Sequence, residues 1–450
     1  MAGIYLISYS VSGIKNIDKM IDLSFYKKSI DRKFDIKGYN LKGIYGANGA
    51  GKTAVIASVR ILKRLLTENN YLSSTAVQNE LQELINRKTR ELEMKAEYLV
   101  SYKNLMFLYH YEVKLGKNAF DNYEIVRECL TRRSALAHST QPEVCFETDC
   151  GRLITNNDDA YSAILTDLTK NLLSNATVTS VIFNKEELRN PASVKHSELW
   201  VNTVSLLLFG SRLFVCTDQG DDHRSYHMNR YLDSGEEINE NDFEIFFEQI
   251  KDLNSRNAEV LSAEPMAVPK DAYALFEERV NKLYEFLHIF KEDLKKIDID
   301  RKEDERNYIC SLVMNYGDYA VNAEFESTGI KKLIRLFDYF DKMVHGNIVF
   351  IDELDSNLHD VYLCALLEYL QENGKGQLCF TTHNVGPMDI LKQNKKSIDF
   401  LSADHTVYQW VINGNYSPAK LYKKGMIEGS PFNVFPFEFI KAFYTEEDDA

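Results

Sequence analysis

The sequence predicts an α/β protein built on a parallel sheet, and three short stretches carry that prediction. The first is Gly46-Ala47-Asn48-Gly49-Ala50-Gly51-Lys52-Thr53, a glycine-rich loop. It lies between the apolar run Leu41–Tyr45 and a segment with Val55, Val59, Leu62 and Leu66 at helical spacing. The second is Ile348-Val349-Phe350-Ile351-Asp352-Glu353, four apolar residues followed by two carboxylates. The third is Leu378-Cys379-Phe380-Thr381-Thr382-His383, a strand-like run ending in histidine. Short continuous apolar runs suit strands buried on both faces, as in a parallel sheet.

The loop fits the pattern G-x-x-x-x-G-K-[ST] in the required order of strand, loop and helix. Glycines at Gly46, Gly49 and Gly51, with small Asn48 and Ala50 between them, let the backbone wrap a polyphosphate with its N–H groups inward. Lys52 supplies a cation for the β- and γ-phosphates, Thr53 a hydroxyl for Mg²⁺, and the following helix its positive end. The expected ligands are therefore ATP and Mg²⁺. Asp352 and Glu353 emerge at the carboxyl end of a strand, where open α/β sheets bind ligands. Asp352 would hold Mg²⁺ through its water shell, and Glu353 would polarise an attacking water.

Along the chain, residues 1–45 alternate as strands, and the helix after the loop runs to about Glu68. Val77–Lys95, rich in Glu, Lys, Arg and Leu, reads as a solvated amphipathic helix. From Glu97 to Arg133 the period changes to two, with a turn at Gly116-Lys117-Asn118, and a further hairpin is expected around Gly151. Residues 157–295 read as mostly helical, marked by Leu165, Leu168 and Leu172, by Phe243, Phe246, Ile250 and Leu253, and by Phe276, Val280, Leu283, Leu287, Phe290 and Leu294. Val204–Val215 is the most apolar helix candidate, and Asp218–Asn241 reads as a polar loop. From 296 the strand pattern returns.

The 450 residues allow two or three domain-sized units. With 67 acidic against 53 basic residues, a net charge of -14, the composition argues against a surface for unspecific nucleic-acid binding and leaves DNA contact open. Seven scattered cysteines without a C-x-x-C pair point to reduced thiols, and no signal or membrane-spanning segment is read, so a cytoplasmic location without membrane contact is expected. The group Asp221-Asp222-His223, with His227, reads as a polar loop before it reads as a metal site.

One more stretch belongs with the three motifs. In Glu326-Ser327-Thr328-Gly329-Ile330-Lys331 a strand gives way to a helix, Ser327 suits the N-cap, and Ser-x-Gly at a helix start can bind an anion. The four pieces in this order resemble the ABC-type ATPase heads of the SMC, RecF and OLD-like group, over the first 55 residues and about 296–432. That resemblance implies an α/β ABC-type P-loop ATPase head, to which the residue patterns add an antiparallel β-layer and an inserted helical lobe that carries no match to the group. The expected units are 1–156 for the first half of the head, 157–295 for the lobe and 296–450 for the second half. It also implies that Ser327 and Gly329 contact the γ-phosphate bound by another subunit, that Asp355 lies in a loop crossing a subunit interface, and that His383 is a switch histidine beside the reaction. Thr328 departs from the usual glycine of transporter signatures, and no adenine-stacking aromatic is assigned.

Within the group, Glu326–Leu333, Asp352–His359, Gln377–Asn384 and Leu421–Gly425 look most like the compact ATPases of bacterial anti-phage systems, of which PARIS-type and Septu-type subunits are examples. This implies a homo-oligomeric ATPase acting as sensor or scaffold, working with a separately encoded effector such as a nuclease and answering to a phage trigger. The competing reading is a compact RecF- or SMC-like repair ATPase that clamps DNA. A self-contained nuclease of the OLD type is disfavoured, because too few residues follow His383 for a further domain.

Overall fold

The computed structural model describes residues 3–68, 70–102, 105–136, 141–156, 174–184, 198–217, 261–394, 396–411 and 416–430. Three sheets organise them, two antiparallel and one mainly parallel. The chain opens with β1 (Gly3–Ser12) and β2 (Ile21–Ser24), then β3 (Leu41–Tyr45), the glycine loop and α1 (Lys52–Thr67). Next come α2 (Thr75–Leu84), the long strands β4 (Glu91–Tyr102), β5 (Leu105–Lys117) and β6 (Tyr123–Ser134), and the hairpin β7 (Glu143–Asp149) and β8 (Arg152–Asn156). These strands form a seven-stranded antiparallel sheet in the order β2-β1-β4-β5-β6-β7-β8.

Val77–Lys95 does not form one helix. α2 ends at Leu84, and Leu92, Met94, Ala96 and Tyr98 already alternate inward along β4. The break is local. The Asn86 side chain accepts from the backbone N–H groups of Lys88 (2.9 Å) and Thr89 (3.2 Å), and Arg90 takes a left-handed φ of 54°. The turn after β5 is likewise set by Asn118, whose side-chain oxygen accepts from Phe120 N at 2.9 Å.

The chain continues through α3 (Val178–Asn184), α4 (Glu198–Ser211) and β9 (Leu213–Cys216). This part of the expected helical block reaches the centre of the molecule: α4 packs on α1, and β9 pairs parallel to the Asp352 strand. The apolar run 204–215 thus spans a helix end and a strand, divided where Arg212 closes the helix. The candidates at 165–172, 218–241 (with the Asp221–His227 group) and 243–253 lie outside the described residues.

Then follow β10 (Met266–Pro269), α5 (Tyr273–Phe290), β11 (Lys296–Glu303), β12 (Asn307–Asn315), β13 (Ala320–Asn322), α6 (Thr328–Val344), β14 (Ile348–Ile351), α7 (Asp360–Asn373), β15 (Gln377–Thr381), α8 (Pro387–Leu391), β16 (Ile398–Leu401), β17 (Val407–Gln409) and α9 (Pro418–Lys423). On α5, Phe276, Val280, Leu283 and Leu287 are buried as the helical spacing predicts. The central sheet has the order β17-β16-β3-β15-β14-β9, parallel except for β17.

One face of the central sheet meets α1, which also covers the seven-stranded sheet; Ile56, Val59, Tyr98 and Phe350 share this core. The other face packs on α6, α7 and α8 through Leu336, Leu363, Leu367 and Met388. α5, α6 and the β10–β13 sheet enclose a third core around Leu283, Leu312 and Ile334. The two large sheets are also stitched directly. Leu6 stands opposite Tyr98 just before a register shift that leaves Ile7 as the extra residue of β1, and the buried Gln377 amide takes both backbone groups of Leu6: Leu6 N donates to Oε1 (2.7 Å) and Nε2 donates to Leu6 O (2.8 Å). Among the described residues no helix is long and apolar enough to cross a membrane.

Candidate functional site

β3, β15 and β14 are adjacent parallel strands, so their carboxyl ends lie side by side. The glycine loop leaves β3, His383 follows β15, and Asp352-Glu353 follow β14. Open α/β sheets bind ligands at this edge.

The loop is held from three sides. Gly49 (φ 80°) and Gly51 (φ 106°) adopt conformations that favour glycine. A Cβ at Gly46 would stand 2.3 Å from the Leu401 carbonyl, so the loop lies against the end of β16. From the β1–β2 connection, Asn16 Nδ2 donates to Gly49 O at 2.5 Å, and Ile17 presses on Gly51. From α9, the buried Tyr422 hydroxyl meets the Gly46 backbone; burial pushes its pKa up to about 12. α1 begins at Gly51 without a side-chain cap or an acid in its first turn. Its positive end and the exposed Thr53 are therefore presented at the loop, beside exposed Asn48 and Gly49.

Lys52 is buried, and its ammonium donates to the carbonyls of Gly46 (2.8 Å) and Ala47 (3.1 Å). Burial lowers its pKa, while the charges of Asp352, Glu353 and Asp355 oppose that shift. The lysine thus lies in the electrostatic field of the acids of β14 and its following turn.

Asp352 is 8% exposed, and its Oδ1 accepts from Thr381 Oγ1 at 2.5 Å. The same Thr381 oxygen accepts from Glu353 N at 2.8 Å, so one hydroxyl fixes both acidic residues to β15. Glu353 has a φ of 48°, costly for a residue with a Cβ, and the turn is closed by Leu354 N donating to Thr381 O (3.0 Å). Asp355 Oδ1 is buried and finds no hydrogen-bond partner among the described residues. A buried carboxylate oxygen left without a donor is costly, and it fits a cation or a donor brought by a ligand or partner.

Ser327 caps α6, its hydroxyl accepting from Ile330 N at 3.4 Å. Ser327 and Thr328 are exposed. A Cβ at Gly329 would come within 2.9 Å of the Asn357 carbonyl, so the start of α6 sits against the turn that contains Asp355. His383 is exposed, and the turn after it is fixed by Asn384, which donates from N to Thr382 Oγ1 (2.9 Å) and from Nδ2 to Asp360 Oδ1 (2.8 Å).

These residues fit a nucleoside triphosphate with Mg²⁺: an uncapped helix N-terminus, a buried lysine among the loop carbonyls, an exposed hydroxyl at Thr53 and a tethered carboxylate at Asp352. Among the described residues no three His, Cys, Asp or Glu side chains gather to hold a metal alone. A Mg²⁺ ion would accordingly rest on Thr53, Asp352, phosphate oxygens and water, its common mode. Asn16, Thr381 and Tyr422 are site residues that the sequence reading missed. Thr381 stood inside the third motif; Asn16 and Tyr422 reach the loop through tertiary contacts that no local pattern announces.

No family model matches the chain, and no curated protein matches it. Among solved structures, it is similar to one described as the recombination mediator protein RecF-ATPrS in the RecFOR pathway. The identity is 13% and the TM-score 0.39, with 91% of this chain and 99% of that chain covered. The two chains are distant in sequence and superpose loosely.

Proposed function

We propose that this chain is an ATP-binding, ATP-hydrolysing subunit of the ABC type. The observation that carries the reading is the arrangement at one end of the sheet: the glycine loop with its buried Lys52 leaves β3, and Asp352-Glu353 leave β14, parallel strands separated only by β15. In this reading the loop and the start of α1 bind the phosphates, and Thr53 and Asp352 hold Mg²⁺. Glu353 orients and polarises the attacking water, and His383 stands at the same sheet edge.

Two features favour an assembly in which a second copy completes each site. Ser327 and the start of α6 are exposed, and the Asp355 carboxylate keeps one buried oxygen without a partner. The finer role is a sensor or scaffold of an anti-phage system that holds or releases a separately encoded effector; it rests on the sequence resemblance. The test is the mass of the purified chain with Mg²⁺ and ATP. Glu353→Gln, which should bind ATP without hydrolysing it, is expected to shift to at least a dimer, and Ser327→Arg in the same background to stay at the smaller mass. A Glu353→Gln chain of unchanged mass would remove the shared-site reading.

A further inference from the structure

One buried side chain of α6 reaches the acidic turn. Lys332 lies in the second turn of α6, is 6% exposed, and donates to the Glu353 carbonyl at 2.6 Å and to the Ser356 hydroxyl. A buried ammonium is expensive to desolvate and is held where acceptors meet it. These two acceptors are the two ends of the turn 353–356, the turn strained at Glu353 (φ 48°). Gly329, three residues earlier, lets the same helix close on the Asn357 carbonyl. α6 and the 353–357 turn are therefore clamped at two points, one polar and one steric.

We infer that Lys332 is a positioning residue that makes the start of α6 and the Glu353 turn move as one body. It thereby links the site that a chain's own Glu353 serves to the neighbouring site that its Ser327 faces. The inference rests on the shared-site ATPase reading and adds a residue and a direction to it. When a neighbour's nucleotide draws in Ser327, Lys332 carries that displacement to the backbone of Glu353, whose carboxylate must be aimed at a water. Small misplacements of such a group cost large factors in rate. Lys332 touches no reacting atom; it acts through the Glu353 carbonyl.

The test uses the full chain with Mg²⁺ and ATP, comparing wild type, Lys332→Met, Lys332→Arg and Ser356→Ala. Lys332→Met keeps the buried stem and removes the donors. The expected result is unchanged ATP affinity, kcat lowered by about 10²-fold, and a Hill coefficient for ATP that drops to one. Lys332→Arg, which still donates to both acceptors, should restore part of kcat and some cooperativity. Ser356→Ala should lower kcat in the same direction with no further loss in the Lys332→Met background, and it carries the test alone if Lys332→Met does not fold. Equal kcat and Hill coefficient in wild type and a folded Lys332→Met, or losses that multiply in the double variant, would overturn the inference while leaving the ATPase reading standing. A wild type that binds no ATP would overturn both.

Discussion

The central sheet and the seven-stranded sheet are built from the same apolar residue types and do opposite work. The central strands β3, β14 and β15 are four or five residues long and buried at every position. Nothing along them is exposed, so whatever chemistry they carry must appear where they end, and three of them end together. The strands β4, β5 and β6 run for 12 or 13 residues with one face inward. Their other face is laced with ion pairs: Lys95 with Glu93 and Glu112, Arg127 with Glu112 and Glu147. Partly exposed pairs of this kind contribute little individually. The long sheet is a scaffold that covers α1, and the short one is the instrument that α1 belongs to.

The largest expected effect breaks the instrument and spares the scaffold. Lys52→Ala should weaken ATP binding by about 10²-fold or more, the value of a lost charge-assisted contact to phosphate. Its melting temperature without nucleotide should stay near that of the wild type. Binding followed by fluorescence of a labelled nucleotide, beside a thermal melt, separates the two effects.

Thr381→Val comes next. It removes the hydroxyl that holds Asp352 and leaves the Glu353 N–H without its partner. Stability should fall by about 1–3 kcal/mol, and kcat by about tenfold with ATP affinity nearly kept, because a loosened Asp352-Glu353 turn is misaimed more than unfolded. Thr381→Ser should recover most of both.

The smallest effect on the nucleotide site, none, belongs to a residue of the scaffold and concerns pH. Glu128 on β6 is fully buried, accepting from the Tyr111 hydroxyl (2.9 Å) and from Val178 N (3.0 Å), and burial pushes its pKa up from 4.5 to about 7. The folded chain then holds a proton that the unfolded chain releases. Glu128 therefore withdraws stability as pH rises from about 4.5 to about 7, by at most about 3 kcal/mol, with no further change above that window. Urea melts at pH 5 and pH 7.5 should show this slope in the wild type and not in Glu128→Gln, with ATP affinity alike in both.

Much of the instrument was legible in the sequence, because buried parallel strands announce themselves as apolar runs and the motifs sit at their ends. The glycine loop, Asp352-Glu353, the Ser327 cap and the strand before His383 all fall where their local patterns put them. The illegible parts have physical reasons. Glu91, Glu93 and Lys95 lie on the outward face of β4 and, with Arg87, Lys88 and Arg90 just before it, imitate a charged continuation of α2, which Asn86 and Arg90 in fact break. β9 is only four residues and follows an apolar helix directly, so the two merge into one hydrophobic run. Asn16, Tyr422 and Lys332 act across long sequence separations, through a loop carbonyl, the Gly46 backbone and the Glu353 carbonyl. A single sequence holds no local trace of such partners.

The most direct measurement is Mg²⁺-dependent phosphate release from ATP by the purified chain and its Glu353→Gln variant, with bound nucleotide counted in the same samples. The wild type should turn ATP over, and the variant should be slowed by about 10²-fold or more while still retaining ATP. Turnover by Glu353→Gln at the wild-type rate, or a wild type that holds no ATP at millimolar concentration, would contradict the ATPase reading.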